Sequence, residues 1–119
     1  MNFFDYLKME FIKDKNNDTI TRVPIEDYCL NVNGVVHGGV TMSLIDNAAG
    51  RIAIEALGDS KIVTVDGQTN FLRPASDTKY LYAKCKLRKL GRQIVNVDCD
   101  VFDDDENLIA IGRFSFMRV

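Results

Sequence analysis

One stretch of the chain holds the residues best suited to chemistry: Asn31-Val32-Asn33-Gly34-Val35-Val36-His37-Gly38-Gly39, followed by Val40-Thr41-Met42-Ser43-Leu44-Ile45-Asp46. A glycine-rich loop here runs into an apolar-periodic segment, the pattern of a loop feeding a helix N-terminus. Such a terminus carries backbone N–H groups with no partner inside the helix, together with the positive end of the helix dipole, and glycine lets a carbonyl oxygen come close to them. Negative charge developing on that oxygen is stabilised there, as in attack on a thioester carbonyl. The second reactive group is Asp46. Its neighbours at three and four residues, Met42, Ser43, Ala49 and Gly50, include no basic side chain, and an unpaired carboxylate on such a stripe is costly to bury without a purpose. It has the chemistry of a general base or a nucleophile. At about 1.5 Å rise per residue, Gly38 and Asp46 stand roughly 12 Å apart along one helix. A reacting carbonyl needs its oxyanion donor and its attacking group each at about 3 Å. If both groups are catalytic, they come from different copies of the chain.

The elements that hold these groups can be read from periodicity. From Gly38 to about Leu57 the apolar positions Val40, Leu44, Ala48, Ile52 and Ala56 fall four apart, with Arg51 and Glu55 as an exposed pair, which predicts a long helix. Gly58 is placed to end it. Runs of period two over 61–72, 79–90, 93–102 and 108–118 predict strands. Gly91-Arg92 and Asp103-Asp104-Asp105-Glu106-Asn107 are short enough to turn the last three into an antiparallel meander. Ahead of the loop, residues 3–8 predict a short helix, and 9–13 and 19–24 predict strands. One long helix and one amphipathic sheet can bury their apolar faces only against each other. The expected architecture is therefore α+β, a curved antiparallel sheet wrapped around a central helix. Val63, Val65, Phe71, Leu81, Ala83, Cys85, Leu87, Val95, Val97, Cys99 and Val101 are expected to turn inward.

At 119 residues, with 46% apolar and 27% charged side chains, the chain is sized for a single domain over 1–119. A formal charge of −2 provides no global field to gather nucleic acid or an acidic membrane. Three cysteines without a CxxC pair, beside a single histidine, exclude a recognisable zinc framework, so Cys29, Cys85 and Cys99 are expected to be reduced core thiols and no metal is expected. The first residues lack a basic segment followed by an apolar run, and no stretch of about 18 apolar residues occurs. A cytoplasmic location without membrane attachment is the resulting expectation.

Over roughly residues 28–118 the sequence resembles the hotdog-fold acyl-CoA thioesterases of the phenylacetyl-CoA and hydroxybenzoyl-CoA type. The residues that carry the resemblance are Asn31, the loop Gly34 to Gly39, Leu44-Ile45-Asp46-Asn47-Ala48, and Val65-Asp66-Gly67-Gln68-Thr69-Asn70-Phe71-Leu72-Arg73-Pro74. The resemblance implies that Gly38 N–H polarises the thioester carbonyl while Asp46 of the partner subunit attacks it or activates water. It further implies that Asn31 helps hold the attacking water or the leaving group, that His37 orders the loop, and that the Thr64 hydroxyl positions water. A sole histidine beside two glycines reads the same way, as a backbone-bonded loop residue in preference to a proton carrier.

Thr64, Asp66, Gln68 and Asn70 share one polar strand face, either solvent-facing or a wall of a cleft or dimer interface. Lys84, Lys86 and Arg88 form a basic row that either holds CoA phosphates or pairs across strands, with Lys84 near Asp98. Of the basic residues near strand ends, Arg73 and Arg92 are the expected CoA contacts. The function expected is hydrolysis of an acyl-CoA to free acid and coenzyme A by a homodimer or homotetramer, with no cofactor beyond the CoA of the substrate. The alternative is a non-catalytic acyl-CoA-binding or sensor protein of the same fold, against which Asp46 argues. A dehydratase would need the histidine to act on a β-hydroxyacyl chain, and an aspartate nine residues after His37 fits a thioesterase better.

Overall fold

The structure, a computed structural model, describes residues 1–59 and 61–119. A short helix α1 (Phe3–Tyr6) leads into strands β1 (Glu10–Lys13) and β2 (Thr19–Pro24), then a single 3-10 turn at Asp27–Cys29, the helix α2 (Gly38–Leu57), and strands β3 (Ile62–Phe71), β4 (Tyr80–Leu90), β5 (Ile94–Phe102) and β6 (Leu108–Arg118). The six strands form one sheet in the order β1-β2-β4-β5-β6-β3, every pair antiparallel. The sheet packs against α2, which is the hotdog architecture expected from the pattern.

The helix has defined ends because the sequence supplies both caps. His37 stands outside it in extended backbone and Gly58 closes it at φ 65°, a left-handed conformation that glycine adopts without a Cβ penalty. The face of α2 turned to the sheet carries Leu44, Ile45, Ala48, Ala49 and Ala53, all buried. Three of the five are alanine, so the helix axis can approach the valines of β5 closely. Val95, Val97, Cys99 and Val101 of β5, with Leu81 and Ala83 of β4, are buried beneath it as expected.

Four expectations need correction. Val63 and Val65 do not turn inward; they are 45% and 47% exposed. The β3–β6 register shifts between Thr64 and Asp66, a bulge that re-aims side chains on either side of it. Ahead of the bulge Ile62 packs on the core and Thr64 reaches α2, while beyond it Gln68 and Asn70 lie beside Asp98 and Arg113 on the opposite face. The polar row from Thr64 to Asn70 is thereby split. Phe71 and Leu87 are also exposed, at 53% and 38%, Leu87 because β2 pairs with β4 only as far as Ala83.

Lys84 pairs with Asp14 and Asp18, not with Asp98; the register sets Lys86 opposite Asp98, and Asp98 is taken by Arg113 at 2.7 Å. That hydrogen-bonded guanidinium holds the Asp98 carboxyl below its ordinary range. The cysteines are not three separate thiols either. Cys85 and Cys99 face each other across β4 and β5 and are joined as a disulfide, leaving Cys29 free and buried.

Gly67, just past the bulge, is a packing requirement: a methyl added there would stand 2.6 Å from the Phe114 ring, which is itself buried. Gly67→Ala is expected to lower unfolding free energy by about 1–3 kcal/mol through overpacking, read as a lower urea midpoint with an unchanged slope.

Candidate active site

The loop before α2 is held by its own hydrogen bonds. Asn31 Oδ1 accepts from the N–H groups of Asn33 at 2.9 Å and Val35 at 3.2 Å, and Asn31 N–H donates to Val35 O at 2.8 Å. Val36 N–H and His37 N–H then tie the loop to Ala75 O and Cys29 O. His37 caps the helix: its Nδ1 accepts from Gly39 N–H at 2.8 Å. An imidazole can accept at Nδ1 only when that nitrogen carries no proton, so the ring is held as the Nε2–H tautomer. The residue at 39 has to be small, because a Cβ there would lie 3.0 Å from His37 Nδ1.

That cap leaves one donor over. Among the described residues Gly38 N–H has no acceptor, and as the first helical residue it has none within the helix by geometry. Phe71 packs against Gly38 so closely that a Cβ at this position would stand 3.1 Å from the ring. Gly38 opens into a cleft of about 410 Å³ whose other walls include Val35, Phe71, Pro74 and Ile109, with Arg73 beside them. Arg73 Nη1 donates to Asn107 Oδ1 at 3.1 Å, which fixes it against the turn between β5 and β6.

Asp46 lies two turns on, half-buried, and opens elsewhere. Its Oδ1 accepts from Thr64 Oγ1 at 2.7 Å; its other oxygen has no protein partner among the described residues, and none of their salt bridges includes it. It borders an open groove of about 700 Å³ bounded by Phe4, Phe11, Gly50, Ile54, Ile62 and Phe116. Thr64, expected to position water, thus holds the carboxylate itself.

One chain brings Asp46 and Thr64 together, and separately Gly38, His37 and Arg73, but it does not join the two groups. Asn31 belongs to the loop, with its carbonyl oxygen already committed. Arg92 is exposed in the turn joining β4 to β5, at the far end of β5 from Arg73; nine residues of strand separate their ends by about 30 Å. The two arginines therefore do not converge within one protomer. Sequence reading found no use for the segment before residue 28, yet Phe4 and Phe11 line the Asp46 groove. Phe4 and Phe11 are two of the three phenylalanines in that segment, and this clustering was the available signal. Among the described residues no group of His, Cys, Asp and Glu side chains is disposed to hold a metal, and no helix is long and apolar enough to cross a membrane.

On a hotdog sheet, an unpaired helix-terminal N–H and a half-buried carboxylate are groups that hydrolysis of a thioester can use. The chain belongs to the thioesterase superfamily, whose family model matches residues 33–110. It is 28% identical over 108 residues to a candidate esterase of Saccharolobus solfataricus, covering 90% of this chain and 71% of that protein. It is 29% identical to the acyl-coenzyme A thioesterase THEM4 of Bos taurus, covering 94% of this chain and 48% of THEM4. The crystal structure of a Bacillus halodurans protein with CoA superposes with a TM-score of 0.89 at 26% identity, covering 98% of this chain and 77% of that one.

If the imidazole serves as the helix cap, His37→Ala should cost about 1 kcal/mol of stability and His37→Asn should retain most of it, since asparagine is a strong N-cap. Chemical unfolding of the three proteins side by side measures the difference.

Proposed function

We propose that the protein hydrolyses acyl-CoA thioesters at sites built by two copies of the chain. The observation that carries this reading is the division of the catalytic groups: Gly38 N–H and Asp46 ride one rigid helix, roughly 12 Å apart, and open into different cavities. A second chain supplies what one lacks. Strand β3 supports such pairing. It lies at the sheet edge with β6 as its one partner, runs for ten residues, and exposes Val63 and Val65; a long unpaired edge of this kind is a template for another strand.

In this reading the thioester carbonyl oxygen accepts from Gly38 N–H of one chain, in the field of the α2 N-terminus. His37 keeps Gly39 N–H occupied and holds the loop in shape. From the other chain, Asp46 either attacks the carbonyl carbon, giving an anhydride that water then opens, or takes the proton of the water that attacks. Thr64 holds one carboxylate oxygen and so aims the other. The carbon–sulfur bond breaks, coenzyme A leaves as the thiol, and the acid is released. Asn31 keeps its amide NH₂ available to water or the leaving group, and Arg73 beside the Gly38 cleft is the residue best placed to meet the phosphates of CoA.

A thiol-release assay across acyl-CoAs tests this. Asp46→Asn is expected to lower kcat by about 10²–10⁴. Gly38→Pro removes the N–H at a helix position where proline is tolerated, after a residue whose extended backbone suits a following proline,. It is expected to lower kcat by about 10²–10³, and Gly38→Ala, which adds a Cβ but keeps the donor, should cost less. Absence of thiol release by the wild-type protein, or full activity in Asp46→Asn, would contradict the reading and favour a binding protein.

A further inference from the structure

We propose that the groove running from Asp46 along α2 receives the acyl group as an extended aliphatic chain of medium length, with Gly50 as its floor and Phe4 and Phe11 of the N-terminal segment as its outer wall. This rests on the acyl-CoA reading above and names the acyl class. If Asp46 attacks the carbonyl carbon or activates the water that does, that carbon sits at the Asp46 end, with the thiol on the side of the partner's Gly38 cleft. The acyl tail then points along the groove.

The lining is mixed, with Phe4, Phe11, Ile54, Ile62 and Phe116 supplying its apolar part and Thr19, Asn47, Arg51 and Glu55 its polar margin. Gly50, one turn past Asp46, has no side chain to block the way; a Cβ there would only touch the Phe116 ring at 3.6 Å. Ile62 and Phe116 form the sheet side. Phe4 and Phe11 form the other, their rings 5.3 Å apart, with Phe4 packed on the core. Charge also borders the groove, at Arg51 and Glu55. Arg51 lies 5.5 Å from the Phe11 ring, pairs with Glu55 at 2.5 Å and donates to Thr19 O at 3.0 Å. A hydrocarbon terminus gains nothing by contact with this ion pair.

Length follows from the helix. Asp46 to Ile54 spans eight residues, about 12 Å, and an extended carbon chain with bonds of about 1.5 Å at near-tetrahedral angles advances about 1.25 Å per bond. The groove therefore matches about eight to ten carbons. Each methylene buried along it contributes up to about fourfold in kcat/KM, and methylenes beyond Ile54 contribute little.

The test is kcat/KM with acetyl, butyryl, hexanoyl, octanoyl, decanoyl, dodecanoyl and phenylacetyl CoA, for the wild type, Gly50→Ala and Gly50→Leu. Alanine and leucine are better helix formers than glycine, and alanine's Cβ makes an ordinary contact, so at least that variant keeps the fold. The expected wild-type profile rises to octanoyl or decanoyl and then levels. The ratio of decanoyl to acetyl activity should fall at least tenfold in Gly50→Leu and by a smaller factor in Gly50→Ala. A flat profile, a preference for phenylacetyl over octanoyl, or an unchanged ratio in both variants overturns the groove assignment while Asp46-dependent hydrolysis still stands. No hydrolysis of any thioester overturns the groove and the hydrolase reading together.

Discussion

Two groups fixed on one helix cannot meet. The N-terminal N–H of Gly38 and the carboxylate of Asp46 belong to α2, whose ends are set by the His37 cap and the left-handed Gly58 and whose inner face is locked onto β4 and β5. No side-chain rotation closes a gap of roughly 12 Å along a helix. The remaining features of the molecule fit this constraint. The two groups face separate cavities, the sheet leaves β3 open at its edge, and valines stand exposed along that edge. The reading of a shared site accounts for all three with one assumption, that a second copy docks so that the loop of one chain meets the carboxylate of the other.

Within that frame a single extra residue in β3 decides how the carboxylate is presented. In an unbroken strand, Thr64 would share a face with Asp66, Gln68 and Asn70. The bulge at Val65 turns Thr64 toward α2, where its hydroxyl donates to Asp46. One oxygen is thereby held and the other left free beside the groove that runs past Gly50. The same local break exposes the valines, so the geometry of the site and the character of the free edge have a common origin.

These residues also show where the sequence was legible. Helix periodicity, the capping glycine and the turn residues gave the bounds of α2 and all the strands, because each rests on local pattern. Asp46 stood out because its helix neighbours offer no base, and Gly38 because of its position at a helix start. What failed depended on register. The bulge leaves no mark in a run of alternating residues, so Val63 and Val65 were expected to be buried. Lys84 was paired with Asp98 instead of Asp14 and Asp18 because the strand register and the turn at Asp14–Asp18 set its partners together. Cys85 and Cys99 fourteen residues apart become neighbours only once that register is known. The phenylalanines at 4 and 11 are visible in the sequence, but their place beside Asp46 is a tertiary contact that no local pattern specifies.

The sharing of the site between chains is tested most directly by complementation. Differently tagged Asp46→Ala and Gly38→Pro proteins, each inactive alone, are co-expressed and the hybrid dimer is isolated by both tags. A shared site predicts that the hybrid regains activity close to that of one intact site of the two in a wild-type dimer, since one of its sites has a sound loop and a sound carboxylate. Verified hybrids as inactive as the parents would contradict the account.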